Sequence, residues 1–401
     1  MIIVSGVMPG GSGVGRLLTG LARECEESGL GDVAFVTGGT GAGLGKSIRG
    51  SDLSGTIAGL MRMVAGYGGL VRGLYSRSLN DTDEPLVIVH PQSLTRAWLA
   101  ALMRRRTGSI FIYLMDNSFF CLRSYNYIPG EDGPCTRCLG GELSAAREMG
   151  CRPFPPLSFG LRTMLRDFRE WESTGRLVFL VQCETQAGLV RSHFGDAANS
   201  TTVGIFASDF PRPDAIPDPV NGRSEEFDVV FHGSADAAKG VRWALELARL
   251  LPARSFMFPF HVPHRGADGP PATNAVFRPM GWESGLADAV RNASLVLNPS
   301  LWSAPIEGAL VKSIIYARRT AVVEGAASWS SELPSELVLR LSSSLPRAAE
   351  QVEAYLSDPV PIEYEVMRSW YEAFYAENGH LLTRIRDVVL RQPSLDVSRS
   401  V

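Results

Sequence analysis

The residues best suited to binding chemistry lie in the second half of the chain. An apolar strand predicted at 228–232 leads into a turn that opens with Gly233 and Ser234 and closes with Lys239 and Gly240. Backbone N–H groups at such a strand-to-helix turn, together with the positive end of the helix, stabilise an anion, and a lysine adds a compact positive charge. The turn therefore predicts a site for a phosphate-bearing ligand.

A second strand-to-helix turn further along the chain carries similar residues. It follows a buried strand predicted at 294–298, and its candidate ligand-binding residues are Ser300, Glu307, Gly308, Ala309 and Lys312. Lysine is rare in this chain and occurs only at positions 46, 239 and 312, so each one is a candidate contact for a phosphate or a carboxylate. In an open α/β sheet, ligands bind at the carboxyl ends of the strands. We therefore expect the two turns to serve the same phosphate-bearing ligand.

The first half of the chain offers candidates at three strand ends. Gly11, Ser12 and Gly13 belong to a glycine-rich turn, where glycines permit positive φ angles and close approach to the backbone. His90 and Asp116 each follow a later strand. A histidine at such a position acts as a general base or as a hydrogen-bond donor to a sugar. Two plainer interpretations stay open: the glycines only shape the turn, and the backbone satisfies His90.

A second glycine-rich loop, Gly38–Ser47, invites comparison with the loop that binds nucleoside triphosphates. That pattern requires a glycine, four further residues, and then Gly-Lys followed by Ser or Thr. Counting back from Gly45 places Thr40 where the first glycine belongs. Asp116 would then be the acidic residue that such enzymes use for Mg²⁺. A P-loop-type nucleotide-binding enzyme stays open as an alternative to a glycine loop over the ligand cleft.

Four cysteines are grouped in a predicted insertion at 117–156. Cys121, Cys135, Cys138 and Cys151 are separated by 13, 2 and 12 residues. Four thiolates at such spacing suit tetrahedral Zn²⁺, and a short, turn-rich insertion gains stability from a metal. We therefore predict a structural zinc site, with an iron–sulfur cluster or unligated thiols as alternatives. A closed site of four cysteines leaves no open position for catalysis.

The chain is predicted to form two α/β domains. Its 401 residues exceed one ordinary hydrophobic core, and alternating strands and helices indicate parallel, doubly wound, Rossmann-like sheets. The predicted domains are 1–210 and 211–362, and a single helix over 363–392 crosses back to the first domain. The predicted strands are 2–7, 32–37, 85–89, 110–115, 177–182 and 202–206 in the first domain, and 228–232, 255–260, 275–279, 294–298, 320–324 and 337–341 in the second.

Composition narrows the class of partner and the compartment. A net charge of −3 does not indicate the basic surface that binds nucleic acid. No apolar run approaches the ~20 residues that span a bilayer. The N-terminus begins at once as a strand, so we expect no signal peptide and a cytoplasmic protein. A basic amphipathic stretch at 55–78 and the run Arg104–Arg106 leave peripheral contact with an anionic membrane as an open interpretation.

Several of these motifs occur in the same order in one known family. They are the turn Gly233 to Lys239–Gly240, Pro299–Ser300, Glu307–Gly308, the strand at 320–323, Gly10–Gly13 and, for a subgroup with a cysteine segment, Asp116, Phe119, Cys121, Arg123, Cys135 and Cys138. The chain resembles the retaining family-4 glycosyltransferases, which have the GT-B fold of two Rossmann-like domains. The resemblance implies that Lys239 contacts the diphosphate of a nucleotide-sugar donor and that Glu307 holds donor hydroxyls. No catalytic metal is expected.

The sequence also departs from the family pattern. The two glutamates that the family carries eight positions apart fall at Ala304 and Lys312, and Met115 occupies the place of a histidine. The expected activity is sugar transfer to a hydroxyl on a glycan or lipid-linked acceptor, in cell-surface polysaccharide or glycoconjugate synthesis. His90 or Asp116 would position that hydroxyl. The missing glutamates leave a catalytically inactive partner subunit as the alternative.

Overall fold

The computed structural model describes residues 1–7, 9–30, 33–37, 84–90, 94, 96–106, 108–131, 133–153, 161–216, 226–261, 272–325 and 327–391. The loop Gly38–Ser47, the basic stretch 55–78 and the tail beyond 391 lie outside the described residues, and so does the nucleotide-loop alternative. The chain divides into two compact units. The first comprises Met1–Ser124, Arg137–Asp209 and Asn378–Val401, and the second comprises Tyr125–Thr136 and Phe210–Glu377.

Each unit contains one six-stranded parallel sheet. The strands of the first are β1 (Ile2–Ser5), β2 (Ala34–Thr37), β3 (Leu86–Val89), β4 (Ile110–Tyr113), β5 (Leu177–Val181) and β6 (Ser200–Thr202). Those of the second are β7 (Val229–Phe231), β8 (Phe256–Phe258), β9 (Ala275–Phe277), β10 (Leu295–Leu297), β11 (Thr320–Val323) and β12 (Val338–Leu341). The predicted doubly wound parallel fold is confirmed, and eleven of the twelve predicted strands contain the observed ones.

The described helices follow the strands in βα order. In the first part of the chain they are α1 (Gly13–Glu27), α2 (Arg96–Arg105), α3 (Ser144–Glu148), α4 (Leu161–Glu172) and α5 (Glu184–Phe194). They continue with α6 (Val241–Leu250), α7 (Leu286–Asn292), α8 (Gly308–Tyr316), α9 (Leu345–Ser357), α10 (Tyr364–Asn378) and α11 (Leu381–Arg391). Short 3₁₀ turns lie at Leu139–Gly141, Pro213–Ala215, Ala237–Lys239, Trp282–Ser284 and Trp329–Ser331.

The strands of the first sheet run in the order β2-β1-β3-β4-β5-β6. β1, β3, β4 and β5 are buried along their whole length, which explains their continuous apolar runs, because a parallel sheet is covered on both faces. The strand order reverses between β1 and β3. The loops that follow these two strands therefore form the place where a ligand binds in such a sheet.

The last strand of the first sheet, β6, is shorter than predicted and begins two residues before the predicted start. The prediction of a strand at 202–206 is wrong beyond Thr202, where β6 ends. Gly204 has a φ of 76°, and a Cβ at this position would lie 2.0 Å from Asn378 Oδ1. The Gly204 carbonyl oxygen also accepts a 2.7 Å hydrogen bond from the Tyr113 hydroxyl. The left-handed backbone and this bond end the strand geometry.

The prediction of one long C-terminal helix is also wrong, because the segment forms two helices, α10 and α11. The Asn378 side chain, at the end of α10, accepts a bond from Ile205 N. α11 begins three residues later, and the buried Glu24 carboxylate accepts hydrogen bonds from Leu382 N and Thr383 N, at 2.8 and 2.9 Å. An anion at a helix N-terminus satisfies its free N–H groups. Glu24 thus fixes a helix start within the first unit.

The second sheet has the order β12-β11-β10-β7-β8-β9. Alternate residues of its strands face opposite layers: Phe231 and Leu297 pack in a cluster with α6 and α9, while Val230 and Val296 pack in a cluster with α7. This alternation follows from the two-residue period of a strand. The order reverses between β7 and β10, and such a switch point is where ligands bind in open α/β sheets.

Candidate functional site

The loops after β7 and β10 meet at the switch point of the second sheet. His232 N donates a 2.9 Å bond to Leu297 O, and Asn298 Nδ2 donates a 2.6 Å bond to His232 O. Among the described residues, Asn298 Oδ1 and Trp302 Nε1 are buried without a hydrogen-bond partner. Native proteins rarely leave such atoms unsatisfied. This end of the sheet therefore has polar atoms to spare for a ligand or water.

Gly240 allows the loop after β7 to pack closely against the backbone of the loop after β10. Its φ of 76° is left-handed, and a Cβ there would lie 1.9 Å from Pro299 O. Just before it, the Asp236 carboxylate accepts a 2.8 Å bond from Ala238 N, and Leu301 N donates a 2.9 Å bond to Ala238 O. Only glycine fits both the backbone angle and the close approach, so its role here is conformational.

Lys239 lies at the centre of the candidate site. Its ammonium forms an ion pair with the Glu307 carboxylate, and it lies 5.1 Å from the centre of the Tyr125 ring and 4.6 Å from that of Trp302. Burial lowers the pKa of Lys239, but the charges and hydrogen bond supplied by Glu307, with Tyr125 and Asp236, outweigh it and raise the pKa overall. The side chain is therefore a protonated, largely covered cation.

Glu307 comes directly before α8, in extended backbone conformation, and its carboxylate accepts a hydrogen bond from the Lys239 ammonium. Gly308 begins the helix, and a Cβ there would lie 3.4 Å from the Phe210 ring. The Ala309 carbonyl accepts a 2.9 Å bond from the Ser313 hydroxyl. The structure thus brings together Lys239 and Glu307, which lie 68 positions apart in the sequence.

The other predicted donor-site residues of the second unit occupy different surroundings. Lys312 is buried in α8, with its ammonium 4.7 Å from the Trp282 ring centre. His232 stacks on the same Trp282 ring at 5.3 Å. Ser234 is exposed and Ser300 is half-buried, and a Cβ at Gly233 would lie 3.0 Å from the Phe231 ring.

Three site residues were missed by the sequence reasoning. Tyr125 and Asn126 come from the predicted cysteine insertion but belong to the second unit, and Trp302 follows the predicted Pro-Ser turn. The rings of Tyr125 and Trp302 lie 4.3 Å apart, on the Lys239 ammonium described above. Nothing in the spacing of the sequence links position 125 to position 239. Only Trp302, an apolar residue inside a polar turn, carried a signal.

The first unit places His90 beside Asp116. His90 Nδ1 lies 3.7 Å from Asp116 Oδ2, within ion-pair range but longer than a hydrogen bond. Both side chains are buried, and Ser118 N donates a 2.9 Å bond to Asp116 Oδ1. His90 has a φ of 57°, a left-handed conformation that costs energy in a residue with a Cβ. Backbone strain of this kind is concentrated at functional sites.

The glycine turn of the first unit has a clear structural role. Ser12 caps α1, and its hydroxyl accepts a 3.0 Å bond from Gly15 N. A Cβ at Gly15 would lie 2.7 Å from the backbone of Gly10. Gly11, Ser12 and Gly13 are all exposed, and their role toward an acceptor stays a prediction.

The zinc prediction gains no support from the structure. Within the described part of the chain, which includes all six cysteines as free thiols, no three His, Cys, Asp or Glu residues are placed to hold a metal ion. Cys121, Cys138 and Cys151 are half-buried against the core of the first unit. Cys135 belongs to the second unit and donates its N–H to Asn126 O at 2.6 Å. Thiols on a core surface behave as small apolar groups.

Peripheral membrane contact also lacks structural support. Arg106, the last residue of the basic run, is buried and donates to Glu84 O, so it serves the fold. None of the helices over the described ranges is both long and apolar enough to cross a bilayer.

Comparison of the sequence with protein-family models and with curated proteins finds no match. Solved structures do match. A sucrose-phosphate synthase from Thermosynechococcus elongatus is 12% identical with a TM-score of 0.60, over 97% of this chain and 98% of that chain. A trehalose-6-phosphate structure from E. coli bound with UDP-2-fluoro glucose is 9% identical with a TM-score of 0.58, over 98% and 99%.

A third similar structure is WaaG, a glycosyltransferase involved in lipopolysaccharide biosynthesis, at 13% identity and a TM-score of 0.52 over 97% of this chain and 98% of that one. The chain has the GT-B fold. At such low identity this likeness concerns the fold, and the GT-B expectation from the sequence is confirmed at that level. The ligand sites of this chain rest on its own residues.

Proposed function

We propose that this GT-B chain is a glycosyltransferase that moves a sugar from a nucleoside-diphosphate sugar to a hydroxyl acceptor. The observation that carries the proposal is the position of Lys239. It lies at the switch point of the second sheet, is protonated, and belongs to a turn whose backbone is fixed by Gly240. A diphosphate is the ligand that such a cation and such a turn recognise best.

The chemistry required of the second unit is stabilisation of the leaving group. When the bond from the sugar carbon to the diphosphate oxygen breaks, negative charge develops on the diphosphate, and a fixed cation lowers the energy of that state. Lys239 supplies this charge. Glu307, beside it, accepts hydrogen bonds from donor hydroxyls, while Ser234 and Ser300 lie in the two loops that border the diphosphate.

We assign the acceptor side to the first unit. Asp116, with His90 beside it at 3.7 Å, accepts a hydrogen bond from the acceptor hydroxyl, and the exposed turn Gly11–Gly13 borders the acceptor. The acceptor is a glycan or lipid-linked sugar, and the product serves cell-surface polysaccharide or glycoconjugate synthesis. The family-4 resemblance supports sugar transfer with retention of configuration, and a cytoplasmic enzyme at the inner membrane face fits these acceptors.

The test is transfer from a panel of sugar nucleotides by the wild type and by Lys239→Ala. Loss of one leaving-group contact of this kind costs about 100-fold in turnover, so the variant should lose at least that much. Arg242→Ala is the matched control, because Arg242 is an exposed cation on α6, three residues after Lys239. Equal turnover of Lys239→Ala and the wild type would refute the assignment.

A second candidate, a catalytically inactive GT-B subunit, is favoured by two positions. Ala304 and Lys312 stand where the family carries its two glutamates, and both are buried. An inactive subunit would show no turnover alone with any sugar nucleotide and would copurify with an active transferase. Turnover by the isolated chain rejects this candidate.

A further inference from the structure

A short segment taken from the predicted cysteine insertion is fixed into the second unit by Asn126. This side chain is fully buried. Its Oδ1 accepts a 3.0 Å bond from Ser303 N, and its Nδ2 lies 3.1 Å from both Ser303 Oγ and Cys135 O. Cys135 N in turn donates to Asn126 O at 2.6 Å. Both ends of the amide are used, so the segment Tyr125–Thr136 is held in one place relative to the loop after β10.

This anchoring places Tyr125 next to Lys239. The Tyr125 ring lies 4.3 Å from the Trp302 ring, at an angle of 45°, and the Lys239 ammonium lies 5.1 and 4.6 Å from the two ring centres. Both distances are within the ~6 Å range of a cation–π contact. The ammonium is thus enclosed by two aromatic rings and the Glu307 carboxylate.

The two rings position the cation without neutralising it. A lysine has four flexible carbons, and further carboxylates around it would repel a diphosphate. An aromatic face attracts a cation through its quadrupole and carries no net charge. The ammonium therefore keeps N–H donors for phosphate oxygens while its position is fixed before the ligand arrives, which reduces the cost of ordering it on binding.

We propose that Tyr125 is a positioning residue for the donor diphosphate, acting through Lys239; this inference rests on the proposed function. Tyr125 holds the ammonium between its own ring and that of Trp302. Without the ring, the lysine side chain has more freedom and the diphosphate binds more weakly. A segment outside the two predicted ligand loops would thus set the strength of donor binding.

The first experiment measures the position of the ammonium without any ligand. Because the chain has only three lysines, selective ¹³C labelling of lysine gives a simple NMR spectrum, and Lys239→Arg identifies the Lys239 signal. Ring currents should shift its ε-CH₂ protons upfield in the wild type and in Tyr125→Phe, and less so in Tyr125→Leu. Tyr364→Leu, at the start of α10, is the control and should leave the signal unchanged. An unchanged Lys239 signal in Tyr125→Leu would overturn the proposal.

The second experiment measures binding of UDP, GDP and ADP by calorimetry. A cation–π contact of this kind corresponds to about three- to tenfold in affinity. We expect Tyr125→Leu to weaken binding of the preferred diphosphate by that factor, and Tyr125→Phe to remain within about twofold of the wild type. Thermal unfolding checks that the variants are folded, and Tyr125→Met replaces the leucine variant if it is not.

The outcomes separate this inference from the function beneath it. If the wild type binds a nucleoside diphosphate and Tyr125→Leu binds it equally well, only the positioning role fails. If the wild type binds none of the three, the proposed function and the positioning role fail together. Weaker binding by Tyr364→Leu to the same extent would also overturn the role, because the effect would not be specific to the ring on Lys239.

Discussion

His193 lies in an aromatic pocket of the first unit, and its burial leads to a quantitative prediction. Its ring lies 6.1, 5.8 and 4.5 Å from the rings of Phe119, Phe120 and Phe194. In the part of the chain that the structure describes, neither ring nitrogen has a hydrogen-bond partner. Burial, together with the positive charge of Arg169, lowers the pKa of His193 from 6.5 to about 4. The folded protein therefore holds this side chain neutral.

The sign of the effect on stability follows from proton uptake. Between pH 6.5 and about 4 the unfolded chain binds a proton at His193 and the folded chain does not, so the free energy of unfolding falls as the pH is lowered. Titration of His193 lowers the free energy of unfolding by about 2 kcal/mol at pH 5 and by about 3 kcal/mol below pH 4. Above pH 6.5, the pKa of this histidine in the unfolded chain, neither state binds the proton and this loss of stability disappears.

The assay is urea denaturation of the wild type and of His193→Leu at pH 7.5 and pH 5. The leucine variant has no titrating group in the pocket, so the wild type should lose about 2 kcal/mol more than the variant between these pH values. His380→Leu is the control, because His380 is exposed, and it should keep the pH dependence of the wild type. The same pH dependence in His193→Leu and the wild type would refute the reasoning.

Two further predictions concern stability. Gly240→Ala should destabilise the second unit by at least about 2 kcal/mol, because the new Cβ would meet Pro299 O at 1.9 Å. The control Gly325→Ala lies at a positive φ with nothing within 4 Å and should lower the free energy of unfolding by only about 1 kcal/mol. Equal losses of the two variants in urea denaturation would argue against the contact with Pro299. Glu24→Gln removes the charged acceptor of the first amides of α11 and should lower the free energy of unfolding by about 1–2 kcal/mol. The control Glu27→Gln, exposed at the end of α1, should leave it unchanged. A Glu24→Gln variant as stable as the wild type would show that this cap does not stabilise the protein.

The sheets of both units were predictable because their strands carry a strong signal. A buried parallel strand needs an unbroken apolar run, and Leu177–Val181 or Leu295–Leu297 are such runs. The errors arose where tertiary contacts override the local pattern. The backbone at Gly204 turns left-handed next to Asn378, and Glu24 starts a helix more than 350 positions away from itself in the sequence.

The parts of the candidate site that lie within one local turn were predictable, and the contacts between distant segments were not. A strand end followed by glycine and lysine pointed to Lys239, and the apolar strands placed its turn at the carboxyl ends of a parallel sheet. Its position at the switch point became clear only from the strand order of the structure. Tyr125 and Asn126 were not predictable, because their position depends on a non-local bond to Ser303. The zinc prediction from the cysteine spacing gains no support for a related reason: Cys135 belongs to a different unit from Cys121, and spacing along the chain does not show this.

The central claim is that Lys239 binds the diphosphate of a sugar nucleotide, and calorimetry of nucleoside diphosphates tests it most directly. The preferred diphosphate should bind the wild type and Arg242→Ala with the same Kd, and Lys239→Ala at least about 30-fold more weakly, since a charge-assisted contact contributes about 2 kcal/mol or more. Lys239→Arg keeps the charge and should recover part of the loss. Equal affinity of Lys239→Ala and the wild type would contradict the claim.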